Sequence, residues 1–154
     1  MPSQATRDDK VVDFKKVCRN LGIKVTPQRL EIFLELIDAG DHPSAEELFQ
    51  RVRLRLPTIS LDTVYRTLTF FELHGLISKV YFCGDRTRFD PNTKIHHHLV
   101  CVKCKRLTDF YWPEIDSLTL PVSTKDWGLI DTRQVQIHGV CARCMSELQQ
   151  EKKM

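Results

Sequence analysis

Three clusters of side chains in this 154-residue chain have the types and spacing of metal ligands. Cys101-x-x-Cys104 and Cys141-x-x-Cys144 are two thiolate hooks, each offering two sulfurs at the bite that zinc accepts, and four such ligands close a tetrahedron. Two hooks in one small segment favour structural zinc over a pair of redox dithiols or unrelated buried cysteines. The run His96-His97-His98 leads directly into the first hook. Side chains alternate along a strand, so His96 and His98 share one face and can share one ion, while His97 takes the other face. Asp90, Asp109 on the next strand and His42 ahead of the third helix are further candidates. Imidazoles mixed with carboxylates are harder than thiolates and suit iron, manganese or zinc. Taken singly, His42 also fits a loop histidine, and Asp90 and Asp109 fit solvated carboxylates. Cys18 lies on the apolar face of the first helix and reads as a buried thiol. Cys83, in a turn, has no assigned role.

These residues sit at the ends of elements that the pattern predicts. A first helix runs from about Asp8 to Leu21, with Gly22 as its stop. Thr26 caps a second helix opened by Pro27, and Gly40 ends it. Ser44-Ala45-Glu46-Glu47 has the spacing of a capping box for a third helix that continues to Pro57. A fourth follows Ser60, with Leu61, Val64, Leu68 and Phe71 facing inward and Thr63, Arg66 and Thr67 outward, Tyr65 close by. Leu76 to Phe82 and Thr87 to Asp90 read as a hairpin around a turn at residues 83–86. This outline fits a winged helix-turn-helix and also fits a plain helical bundle. Pro91 to Lys94 is turn-rich and divides residues 1–90 from residues 95–154 as a hinge. Beyond it come strands over His97–Val102, Leu107–Trp112 and Arg133–His138, a short helix from Pro113 to about Leu120, and a final helix from Cys141 to about Gln150. A segment of roughly 60 residues has a marginal core and commonly needs a structural metal or a partner subunit.

Bulk charge excludes little. Residues 1–90 carry 14 Lys and Arg against 13 Asp and Glu, and residues 91–154 carry 9 against 7, so a nucleic-acid partner must be argued from a motif. The polar N-terminus has no apolar signal-peptide core, and no apolar run approaches the roughly 20 residues that span a bilayer. A cytoplasmic location without a membrane partner is expected, where thiols stay reduced and paired hooks favour metal.

Five stretches then carry a resemblance: Thr26-Pro27-Gln28-Arg29, His42 to Leu48, Thr63 to Leu68, His96 to Cys104, and Gly139 to Cys144. With them the chain resembles, from about Asp13 to Glu147, the ferric-uptake-regulator family of bacterial metal-responsive transcriptional repressors. The resemblance implies an α+β chain with an N-terminal winged helix-turn-helix that binds operator DNA and a small α/β domain that forms a homodimer. It implies structural zinc on Cys101, Cys104, Cys141 and Cys144, and a regulatory iron or manganese on His42, Asp90, His96, His98 and Asp109. Tyr65 and Arg66 stand where relatives read DNA, and Lys24 where they approach the minor groove or backbone. Asp109 stands where iron-uptake regulators carry Glu, which points to the peroxide-sensing branch, in which ligand histidines matching His42 and His96 are oxidised. An iron-uptake repressor is the alternative. A zinc-uptake repressor is disfavoured because Asp90-Pro91 replaces a cysteine near the hinge. Lys105 departs from the glycine that usually follows the first hook. Ile95 and Arg133 occupy ligand places of a third metal site, so none is expected, and His97 and Asp116 are left out of the ligand sets. A zinc hydrolase or thiol redox enzyme would need an open metal position with a poised base or an exposed reactive hook. Neither is visible.

Overall fold

The computed structural model describes residues 6–81 and 86–152. The turn expected around Cys83 lies outside these residues. The chain divides into two compact units, Met1–Thr93 and Lys94–Met154.

The first unit holds four helices, α1 (Arg7–Asn20), α2 (Pro27–Asp38), α3 (Ala45–Val52) and α4 (Leu61–Leu73), followed by the antiparallel pair β1 (Ser78–Val80) and β2 (Arg88–Asp90). Each helix starts on a side-chain cap that satisfies an amide the helix itself cannot. Thr6 and Ser44 form capping boxes with Asp9 and Glu47, while Thr26 and Ser60 accept from the Arg29 and Thr63 amides. Phe14, Phe33 and Phe71 meet at the centre, with ring centroids 4.8, 5.5 and 5.3 Å apart. Ile32, Leu36, Leu48, Val64 and Leu68 complete a dry core around them. Ser44 bridges to Arg88, and the Phe89 amide donates to the Pro43 carbonyl at 3.1 Å, which ties the start of α3 to the hairpin. This is a winged helix-turn-helix.

Two expectations are corrected here. α3 stops at Val52 rather than running to Pro57. The Leu54 and Arg55 amides turn to the Arg51 and Val52 carbonyls three residues back, because the proline ring excludes helical backbone at Leu56. Thr67, expected to face outward, is 5% exposed.

The second unit is a three-stranded sheet in the order β4–β3–β5, built from β3 (His97–Cys101), β4 (Leu107–Phe110) and β5 (Gln136–Gly139). β4 pairs antiparallel to β3 and β5 parallel to it, and the parallel pair requires the long connection through α5 (Pro113–Ser117). α5 ends before Leu120 because Leu118 is extended ahead of Pro121. α6 (Ala142–Glu151) closes the unit. Its buried apolar side chains among the described residues are Val100, Cys101, Leu107 and Cys144. No helix among the described residues is long and apolar enough to cross a membrane.

The aromatic triad lies at the centre of the first unit's core. Phe71→Ala should destabilise that unit by about 3–5 kcal/mol, read as a shift in the chemical-denaturation midpoint followed by helical circular dichroism.

Candidate metal centres and recognition surface

The Cys101, Cys104, Cys141 and Cys144 sulfurs lie within 4.8 Å of one another. Cys104 and Cys141 are 3.8 Å apart, and a zinc tetrahedron with bonds of about 2.3 Å has edges of about that length. All five described cysteines are free thiols. The chain builds the site locally. The Cys104 and Cys141 amides both point at Cys101 Sγ, at 3.5 and 3.4 Å. Those two N–H groups hold the Cys101 thiol down to about 6. Cys104 is lowered too, chiefly by the Arg106 amide, whereas burial and the three neighbouring sulfurs push Cys144 up to about 12. Four sulfurs packed this closely cannot all ionise unless a cation neutralises them, so the donor set fits a divalent ion. Lys105 adopts φ 63° immediately after the hook while its amide donates to the Cys101 carbonyl at 2.9 Å. Glycine adopts this left-handed backbone without the steric cost that a lysine Cβ meets there.

At the other end of β3, three harder donors converge: His96 just before the strand, His98 on it and Asp109 on β4. His96 Nε2 and His98 Nε2 are 3.1 Å apart, and Asp109 Oδ1 lies 3.7 and 3.3 Å from them. Strand register supplies the geometry, since His98 pairs directly with Asp109 on β4. His96 Nδ1 lies 2.7 Å from the Lys94 carbonyl. That contact takes the ring proton and leaves a lone pair on Nε2, the tautomer a metal ligand needs. Two imidazole nitrogens and a carboxylate oxygen at these separations suit a shared cation.

His97 faces the other way, as strand alternation predicts. Its Nδ1 accepts from the Val135 amide at 3.1 Å, and its Nε2 lies 3.0 Å from Asp116 Oδ1. The Arg133 guanidinium donates to the Ile115 carbonyl, beside Asp116.

In the first unit, His42 Nε2 lies 3.3 Å from Asp90 Oδ2, and the Asn92 amide donates to Asp90 Oδ1 at 2.7 Å. His42 has φ 52°, a strained region for a non-glycine residue. Arg88 holds it there by donating to its carbonyl at 3.2 Å. Such strain at a candidate ligand is consistent with a positioning constraint.

The candidate DNA-contact residues of the sequence lie on and around α4. Tyr65 is 43% exposed, and its hydroxyl donates to Glu46 Oε1 at 2.7 Å. Arg86, beside the wing turn, lies 3.8 Å from the other oxygen of Glu46. Arg66 is exposed and paired with Asp62 at 2.8 Å, and Lys24 is exposed ahead of α2. Glu46 was not among the sequence candidates. It reads as an ordinary first-turn helix acid, and its contact with Tyr65 spans two helices.

Residues 20–144 match the Ferric uptake regulator family. The chain belongs to that family. The peroxide-responsive repressor PerR of Staphylococcus epidermidis is 35% identical over 130 residues, covering 84% of this chain and 86% of its own length. Its counterpart in Staphylococcus aureus is 33% identical, covering 84% and 87%. Among solved structures, the Helicobacter pylori ferric uptake regulator matches with a TM-score of 0.76 at 25% identity, covering 94% of this chain and 97% of its own. The iron-bound Francisella tularensis regulator gives 0.67 at 27% identity, covering 80% and 96%.

Two outcomes test this geometry. Chelating zinc, or Cys144→Ser, should abolish the sheet signal of the second unit while the first keeps its cooperative melt, as circular dichroism of the full chain would register. Separately, the Glu46 carboxylate raises the Tyr65 phenol above its ordinary value, by accepting its proton in a hydrogen bond and by its charge. Ultraviolet pH titration of Glu46→Gln should find a tyrosine ionising at lower pH than in the parent protein.

Proposed function

We propose that the protein is a metal-dependent transcriptional repressor of the peroxide-sensing kind. Zinc is held by Cys101, Cys104, Cys141 and Cys144, and iron or manganese by His42, Asp90, His96, His98 and Asp109. The observation that carries the reading is the convergence of His96, His98 and Asp109, with the His96 lone pair freed by Lys94. Those three donors leave an ion of octahedral habit undersupplied, and His42 with Asp90 offers two more of the same hard character. The peroxide-responsive relatives, together with Asp109 in place of glutamate, favour this branch over iron or zinc uptake. The family and the relatives named above are regulators, so neither a hydrolase nor a redox enzyme is the reading.

The ligands come from both sides of the hinge at residues 91–94, between a domain over 1–90 and a domain over 95–154. Gathering all five donors stabilises the one arrangement that presents them together, by no more than the difference in affinity between arrangements. If that arrangement also fits the operator, metal and DNA must strengthen each other's binding by one common factor. When iron is bound it supplies the chemistry by which hydrogen peroxide adds oxygen to a ligand imidazole. His42 or His96, once oxidised, no longer donates a nitrogen lone pair, and the remaining ligands hold the arrangement less well.

The partner is duplex operator DNA. Tyr65 suits thymine-methyl contact, Arg66 a base edge or phosphate, and Lys24 the minor groove or backbone. A homodimer through the second unit would cover its exposed Leu99, Val122, Trp127, Leu129 and Ile137. We place the protein in the cytoplasm.

The test is duplex binding by the manganese-loaded and iron-loaded protein, before and after low peroxide, with mass spectrometry of the His42 and His96 peptides. Release of DNA by the iron form alone, with oxygen added to those peptides, is the expected result. His96→Ala should lose about 5–150-fold in metal-dependent DNA affinity, the usual range of such coupling. DNA binding that ignores metal would defeat the repressor reading, and iron-form binding unmoved by peroxide would shift it to iron uptake.

A further inference from the structure

A cleft of about 300 Å³ opens between the amino ends of α2 and α4, and no role so far accounts for it. Its walls are polar. Arg29, Arg66 and Asp62 line it, which leaves one net positive charge, and Gln28 and Thr67 complete the donor set. Arg29 is held in place, because its Nη1 donates to the Lys24 carbonyl at 3.0 Å and its guanidinium lies 5.0 Å above the Phe70 ring. The remaining donors of its rigid fork stay available. Arg66, by contrast, is 81% exposed and held at the rim by Asp62.

Two further features point to an anion. Each helix spends its capping side chain on its third amide, with Thr26 accepting from Arg29 and Ser60 from Thr63. The Gln28 amide, at the second position of α2, has no intrahelical acceptor, and both helices aim the positive ends of their dipoles this way. Thr67 is 5% exposed and still lines the cleft, so a hydroxyl-bearing side chain lies at its floor. A helical threonine can return its hydroxyl to the carbonyl four residues back or turn it to a ligand in the cleft. Phe70, the aromatic ring nearest Arg29, is already covered by it, so no open platform invites a stacked base.

We propose that this cleft binds a single phosphodiester of duplex DNA, with Thr67, Arg29, Arg66 and the Gln28 amide as its donors. The inference rests on the operator-binding reading and adds to it a register contact. One phosphodiester carries one negative charge, equal and opposite to the net charge of the cleft. Seating it beside Tyr65 and Arg66 would fix how far α4 sits along and into the groove, a positioning role that carries no base information. Asp62 then has a defined part. It parks Arg66 in the free protein and yields it when phosphate enters.

The experiment uses the full-length manganese-loaded protein and a duplex selected by it from a random pool. Neutral methylphosphonates are placed one position at a time along that duplex. Removing a charge-assisted contact should weaken binding by about 10–100-fold at one position in each half-site. Thr67→Val should weaken the parent duplex and shrink the penalty at that one position, while Thr67→Ser, which keeps the hydroxyl, restores both. Equal penalties in the parent protein and Thr67→Val at every position would overturn the cleft contact while leaving DNA binding intact. If no duplex is selected at all, the repressor reading fails first. Inorganic phosphate, added at constant ionic strength, separates a free anion from a diester of the duplex. Competition with DNA in the parent protein but not in Thr67→Val would assign the cleft to the free ion and overturn the proposal. No difference between the two supports the diester.

Discussion

The second unit depends on four sulfurs being held within a few ångströms of each other. Val100 and Leu107 are the only aliphatic side chains buried in it among the described residues, and the rest of its interior is cysteine and histidine. Carbon burial on that scale does not offset the conformational entropy of ordering about 60 residues. The thiolate tetrahedron joins what hydrophobic packing leaves loose. Cys101 and Cys104 flank the turn between β3 and β4, and Cys141 and Cys144 open α6, so one zinc would pin the sheet to the closing helix. The Val102 amide reaching the Gly139 carbonyl at 2.8 Å continues the parallel pairing up to the second hook. The first unit has its aromatic core and needs no such device.

β3 links the two metal sets. Its carboxyl end carries Cys101, its middle carries His98, and His96 lies just before its start. Fixing the Cys101 end fixes the strand's register against β4, and that register sets Asp109 opposite His98. A closed zinc site would therefore hold in place His96, His98 and Asp109, three of the proposed regulatory ligands. This is an outer-shell role, acting along a strand rather than through a hydrogen bond to the ligand.

What could be read from the sequence follows from which interactions are local. The caps at Thr26 and Ser44, the helix start after Ser60, the paired hooks and the alternation of His96, His97 and His98 are all set by near neighbours, and each agrees with the structure. Features that depend on distant packing were not legible. Thr67 sits on the polar side of α4 by periodicity, yet it is buried, at the floor of a cleft shared with the amino end of α2. Glu46 gains its role only because the helix carrying Tyr65 passes in front of it. The segment from Leu118 to Val135 carries apolar side chains in no helical or strand rhythm, and the structure leaves many of them exposed. His42 and Asp90 are loop and strand-end residues whose individual types predict nothing. Their resemblance to a motif, rather than any periodicity, singled them out.

The charges of the two donor sets match the different tasks proposed for them. Four thiolates around a divalent ion leave a net charge of minus two, and the Arg143 guanidinium on α6 is shifted upward chiefly by the neighbouring Cys104 thiol. Soft, fully ionised and closed to solvent ligands, that set would retain zinc and give it no open position. Three neutral imidazoles and two carboxylates around a divalent ion sum to zero. Such a set gains less from electrostatics, binds ions of the iron and manganese type with moderate affinity and can lose one imidazole without leaving a large unbalanced charge behind. Retention at one set and reversibility at the other thus come from the ligand chemistry itself. A sensor built this way keeps its fold while its signal ion comes and goes.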